Sequence, residues 1–251
     1  MNTIYWNGKM DMGLEDLADY ISNTAKTYCS QALLCAEQSL NSESCKYITN
    51  ESMKRFLAIM QTLTTDIPDI FYHQHEDLFE TTDESSFSLK MKSYIMLGSV
   101  VESTMQIFMS VYLHDYTNSN WNVWVDFEEK KVQTTILPVI ESLIEADTIE
   151  RNQGLSLEKA VKDKIKKHRK LTSIDKVMLD ELILFFKQNS ICDIEDISHL
   201  RSIQRSRNCI HSYMDRSIGS WADLTYSIRF LGYFMEMLMG RFPDLSYLEN
   251  Y

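Results

Sequence analysis

Hydrophobic positions along the chain recur with the 3.6-residue period of α-helices. Leu14, Leu17, Ile21, Ala25 and Tyr28, followed by Ala32 and Cys35, advance in steps that keep them on one face. That stripe predicts a long amphipathic helix over residues 13–40. A second helix is expected over 51–65 and stops before Pro68, because the residue ahead of a proline is pushed out of helical geometry. Residues 67–90 are acidic and rich in hydroxyl side chains, and they read as a long loop or linker. An apolar helix follows over 90–114, then a connection carrying Trp121 and Trp124. Further helices are expected near 128–147, 155–169, 173–189, 193–214 and 220–240. The last is the best defined: Trp221, Leu224, Ile228, Leu231, Met235 and Leu238 form a stripe that must pack against another helix. The pattern predicts an all-α protein with an N-terminal helical region (1–66), an acidic loop or linker (67–89) and a helical bundle (90–251).

Composition narrows the function classes. Only 7 glycines and 3 prolines occur in 251 residues. Turn-rich β folds need more of both. Neither GxGxxG nor GxxxxGK[ST] is present, so no nucleotide-binding loop is expected. The cysteines (Cys29, Cys35, Cys45, Cys192, Cys209) are odd in number and form no CxxC pair, which argues against a disulfide framework or a zinc ribbon. The N-terminus lacks the apolar run of a signal peptide. The apolar window Tyr94–Leu113 has about the length of a membrane span but contains Glu102 and Gln106, so it reads as a buried core helix. A cytoplasmic location and no membrane association are expected.

Charge is uneven. The net charge is −11, which works against a polyanionic partner. Lys159 to Arg216 nevertheless holds 13 Lys or Arg against 8 Asp or Glu, and the rest of the chain holds 12 against 28. Any phosphate contact is therefore expected in this stretch, with Lys166, Lys167, Arg169, Lys170 and Arg201 as candidate RNA-backbone residues. The competing reading of the Lys-rich run is a solvated helix face.

The chemistry-bearing candidates cluster just downstream. In a helix, Arg207 and His211 would stand four residues apart, separated by roughly 40° and facing one way. A histidine near neutrality can take a proton from a ribose 2′-OH or give one to a leaving oxygen. A guanidinium offers a planar, permanently charged fork to a phosphate gathering charge. Asn208 and Tyr213 are candidate supporting residues; Glu102 is either a buried carboxylate paired with a local Arg, Lys or Tyr or a catalytic group, and pairing with one of these arginines would serve both readings. His73-Gln-His75-Glu76-Asp77 has neither HExxH spacing nor further ligands, so no metal or cofactor is implied.

The segment resembles the HEPN superfamily, whose hallmark is an arginine followed four to six residues later by a histidine, often with Asn after the arginine. Arg205 to His211 has the spacing, whereas Arg207-Asn208 has the dipeptide with one residue fewer than the usual gap. The choice between the two arginines stays open at this point. The all-helical context, the amphipathic helix after the motif and Glu102 within the preceding apolar helix agree with the resemblance over about residues 90–240. It implies a metal-independent endoribonuclease leaving a 2′,3′-cyclic phosphate. It also implies a homodimer through the motif-bearing helices and a toxin or antiviral-defence role with a regulatory or antitoxin protein. His211 would then be the acid/base, and Arg205 or Arg207 the phosphate clamp. The competing expectation is a catalytically silent helical module binding a protein or nucleotide partner, through a surface that includes the Leu14/Leu17/Ile21 stripe.

Overall fold

The N-terminal hydrophobic stripe forms helix α1 (Leu14–Gln38), and Leu17, Ile21, Ala25, Tyr28 and Ala32 on it are fully buried. The computed structural model describes residues 12–38, 44–74, 84–119, 129–168, 172–210 and 218–244, with the backbone alone at 129–132, 166–168 and 210. Within these residues all regular structure is helical. After the short α2 (Ser44–Tyr47), α3 (Asn50–Thr65) starts from a capping box in which Thr49 and Ser52 satisfy each other's backbone N–H. Pro68 then occupies the first turn of α4 (Ile67–Tyr72), where a missing N–H costs nothing. The proline thus opens a helix as well as closing one, and part of the expected loop at 67–90 is helical. Helix α5 (Glu84–Val111) begins within the same segment, and residues 75–83 lie outside the described residues.

The order continues through α6 (Leu113–Asn118), α7 (Glu129–Glu145), α8 (Arg151–His168) and a 3-10 turn at Ile174–Lys176. Helices α9 (Leu179–Gln188) and α10 (Ile194–Arg207), a 3-10 turn at Asn208–Ile210 and α11 (Trp221–Met239) complete it. Trp121 and Trp124 fall outside the described residues.

Two compact units result, Met1–Leu113 with Val177–Tyr251 and, separately, His114–Lys176. The acidic segment at 67–89 is therefore not where the units divide. In the first unit α1 lies against α3 and α11, and α5 lies against α3, α10 and α11. Gly232 permits the approach of α1 to α11, since a Cβ there would fall 2.4 Å from the Tyr20 ring. Tyr28 donates its hydroxyl hydrogen to the Thr104 carbonyl at 2.8 Å, tying α1 to α5. Phe108, Phe186, Phe230 and Phe234 join α5, α9 and α11 through ring contacts of 5.5–6.4 Å. Each such buried side chain contributes about 1.5–3 kcal/mol through removal of apolar surface from water.

Helix α5 is long and apolar enough to cross a membrane, yet here it buries Leu97, Val101, Met105 and Phe108 among its neighbours. In the second unit α7 packs on α8. Gly154 lies so close to Ile144 that a Cβ would meet it at 2.3 Å, and the Tyr116 hydroxyl donates to the Thr172 carbonyl at 2.6 Å.

Candidate functional site

Helix α10 starts at the N-cap Asp193, whose carboxylate accepts the Asp196 N–H at 2.8 Å. It places Arg205 and Arg207 in its last turn, where cations complement the helix dipole. The α-helix ends at Arg207 rather than running to 214. Asn208 caps it, its backbone N–H reaching the carbonyls of Gln204 and Ser206, and the chain tightens into the 3-10 turn at Asn208–Ile210. A 3-10 turn has three residues per turn, so the α-helical argument that put Arg207 and His211 on one face does not apply. His211 and Tyr213 themselves lie outside the described residues.

Arg207 is held from beneath by α5. Its stem crosses Gly98, where a Cβ would stand 2.5 Å from the arginine Cδ. One turn further along α5, Glu102 Oε2 lies 2.8 Å from Arg207 Nη2. Gly98 and Glu102 are four residues apart, so the groove for the stem and the anchor for the head share one helix face. The pair sits at the rim of the bundle, its side chains 27% and 19% exposed. Arg205, two residues earlier, is turned about 200° around α10 and is exposed. The structure therefore brings Arg207 and Glu102 together and leaves Arg205 apart. Asn208 is half-buried beside them.

The chain comes back to α5 close by. Tyr94, one turn before Gly98, donates its hydroxyl to the Ser220 carbonyl at 3.0 Å. A Cβ on Gly219 would lie 2.2 Å from that hydroxyl and 2.9 Å from Ser206 Oγ. Both described flanks of the segment containing His211 thus rest on the same stretch of α5, about 6 Å long at 1.5 Å per residue.

The other candidates separate from this centre. Arg201 pairs with Asp180 and donates to Gln204 at 2.8 Å, and Gln204 also donates to Asp180 at 3.1 Å. The hydrogen bond from Gln204, then that from Arg201, holds the Asp180 carboxyl below its usual range. Arg201 is a staple between α9 and α10. The side chains of Lys166 and Lys167, and Arg169 and Lys170 altogether, fall outside the described residues. Earlier on α8, Lys159, Lys162 and Lys164 are exposed, and Lys162 pairs with Glu158. His73 stacks on Trp221 with ring centres 5.0 Å apart, and the Lys90 ammonium lies 4.9 Å from the same indole. His75, Glu76 and Asp77 lie outside the described residues.

Gly98 is the site residue that the sequence reading passed over. The signal was present: it is the lone glycine of a 28-residue apolar helix, four positions before Glu102, and such a glycine marks close approach. Compared with protein-family models, curated proteins and solved structures, the chain matches none.

Proposed function

We propose that the chain is a metal-independent endoribonuclease of HEPN-like chemistry, in which Arg207 clamps the scissile phosphate and His211 moves the proton. The observation that carries this reading is the ion pair between Arg207 and Glu102 over Gly98. It favours Arg207-Asn208 over Arg205 as the motif arginine, because only Arg207 is fixed by a carboxylate on the facing helix. A guanidinium has five N–H donors, and an end-on contact to Glu102 leaves others to face a phosphate. A partly exposed ion pair is worth about 0–1 kcal/mol. The pair can therefore orient the arginine without locking it away from a substrate.

In this reaction the 2′-hydroxyl attacks the adjacent phosphorus, His211 transfers the proton, and the 5′-oxygen leaves to give a 2′,3′-cyclic phosphate. Arg207 stabilises the charge that gathers on the phosphoryl oxygens. The test is RNA cleavage by the purified chain in excess EDTA, with Arg207→Ala and His211→Ala as inactive variants that still fold.

A second reading, a catalytically silent module that binds a protein or nucleotide, is favoured by one feature of the same pair: Glu102 already neutralises Arg207, in a chain of net charge −11. Its expected contact stripe changes, since Leu17 and Ile21 are fully buried in the core and Leu14 alone of the three is exposed. Binding that survives His211→Ala in a chain without cleavage activity would select this reading.

A further inference from the structure

At the opposite end of α10 from Arg207, about 16 Å along the axis at 1.5 Å per residue, a cleft of about 790 Å³ opens beside α11 and Arg241. One side of it is aromatic. Tyr226, Phe230 and Tyr233 come from α11, and the His199 ring lies 4.8 Å from that of Tyr226 and 5.3 Å from that of Phe230. His199 Nε2 is 3.2 Å from the Tyr226 hydroxyl. Burial pushes the His199 pKa down, so the ring is neutral at neutral pH and adds no positive charge to the cleft.

The carboxylates come from the first turn of α10. Asp196, only 6% exposed, lines the cleft together with Asp193 and Glu195. Asp196 accepts the backbone N–H of Asp193, and no ion pair joins it to a cation of the described residues. The charged side chains of the lining are these three carboxylates, Lys187 and Arg241, which leaves one net negative charge. Helix capping accounts for Asp193 and Asp196 as residue types. It does not account for a cleft of ligand size, aromatic on one side, that opens onto them.

We propose that this cleft binds a small organic cation, an amine whose ammonium group meets Asp196 and whose apolar body lies against the Tyr226 ring. The carboxylate supplies the charge complement, and the aromatic faces attract a cation through their quadrupoles. The lining carries three carboxylates against two cations, a balance that disfavours an anionic ligand. The Asp196 carboxyl is raised to about 6, by burial first and by Asp193 next, with Arg241 the weakest influence. A bound ammonium relieves that penalty. Cleavage activity at Arg207 is not required.

The test is calorimetric titration of the full chain with benzylammonium, benzyl alcohol and benzoate as probes. Saturable one-to-one binding of benzylammonium is expected, with benzyl alcohol at least about tenfold weaker and benzoate weaker still. Asp196→Asn and, separately, Tyr226→Leu should each weaken benzylammonium by about tenfold, while Arg207→Ala leaves it unchanged. Circular dichroism checks that each variant is folded, and the Tyr226 variant carries the test if the Asp196 variant is not. No saturable benzylammonium binding, equal or better binding of benzoate, or undiminished affinity in the folded variants would overturn the assignment.

Discussion

Arg207 and Glu102 meet at 2.8 Å across α10 and α5, and the arginine stem reaches that contact only because residue 98 is glycine. The pair joins the last residue of α10 to a carboxylate more than a hundred positions earlier. Its geometry divides two roles that single substitutions can separate. Glu102 orients the guanidinium, and Gly98 gives it room.

Replacing Glu102 with Gln should change folding stability by no more than about 1 kcal/mol, because the pair is partly exposed to water. Cleavage should fall by roughly tenfold, the loss expected when a charged group is kept but misplaced. A double-mutant cycle with Arg207→Met, read by thermal denaturation, should give a coupling of about 0.5 kcal/mol. Zero coupling would mean that the two side chains do not interact in solution.

Gly98→Ala and Gly232→Ala should behave differently despite lying in helix interiors. Alanine improves helix propensity by about 1 kcal/mol at either position. At Gly98 the obstruction is the Arg207 side chain at the bundle rim, so stability should stay within about 1 kcal/mol of wild type while cleavage drops. At Gly232 the obstruction is the Tyr20 ring between α1 and α11, and the net effect should be a destabilisation of about 1–2 kcal/mol. Equal melting temperatures for the two variants would contradict the packing.

Tyr28→Phe removes the buried hydrogen bond to the Thr104 carbonyl and keeps the ring. Urea denaturation should show a loss of about 1 kcal/mol with an unchanged m-value. A loss below a few tenths would mean that water replaces the hydroxyl.

Asp196 should shape the pH dependence of stability. Its folded pKa of about 6 lies above the unfolded value of 3.8, so the folded state holds the proton more tightly. Stability from this group is therefore complete below about pH 4 and declines as pH rises through 6, by up to about 3 kcal/mol at 1.36 kcal/mol per pKa unit. Asp193, Glu195, His199, Lys187, Arg241 and Cys192 also face the cleft, so the quantity to measure is wild type minus Asp196→Asn. That difference should slope downward between pH 4 and 6 and be flat above about 7. A flat difference throughout would show that Asp196 is solvated.

Much of the fold was legible because helix periodicity is local. The α1 stripe from Leu17 to Ala32 and the α11 stripe from Trp221 to Leu238 are the buried faces that the spacing picked out. The grouping of helices into units was not legible. The contacts of α1 with α11 link residues some two hundred positions apart, and no local pattern encodes them. Pro68 misled for a related reason, since a proline ends one helix and opens the next with the same ring geometry. At the site, the sequence supplied both arginines and Glu102 but not their pairing. That choice depends on the end of α10 at Arg207 and on the gap above Gly98, both set by tertiary packing. The cleft at Asp196 is not legible in the sequence, because its carboxylates look there like ordinary helix caps.

The most direct measurement of the central proposal is RNA cleavage in excess EDTA by wild type, Arg205→Ala, Arg207→Ala and His211→Ala, each confirmed folded by circular dichroism. The wild type should cleave and leave 2′,3′-cyclic phosphate ends, and Arg205→Ala should retain most of that activity. Arg207→Ala and His211→Ala should each lose at least about a hundredfold, as expected for loss of transition-state charge stabilisation or of a general acid/base. Full activity in Arg207→Ala or His211→Ala, or no cleavage of any RNA by the wild type, would contradict it.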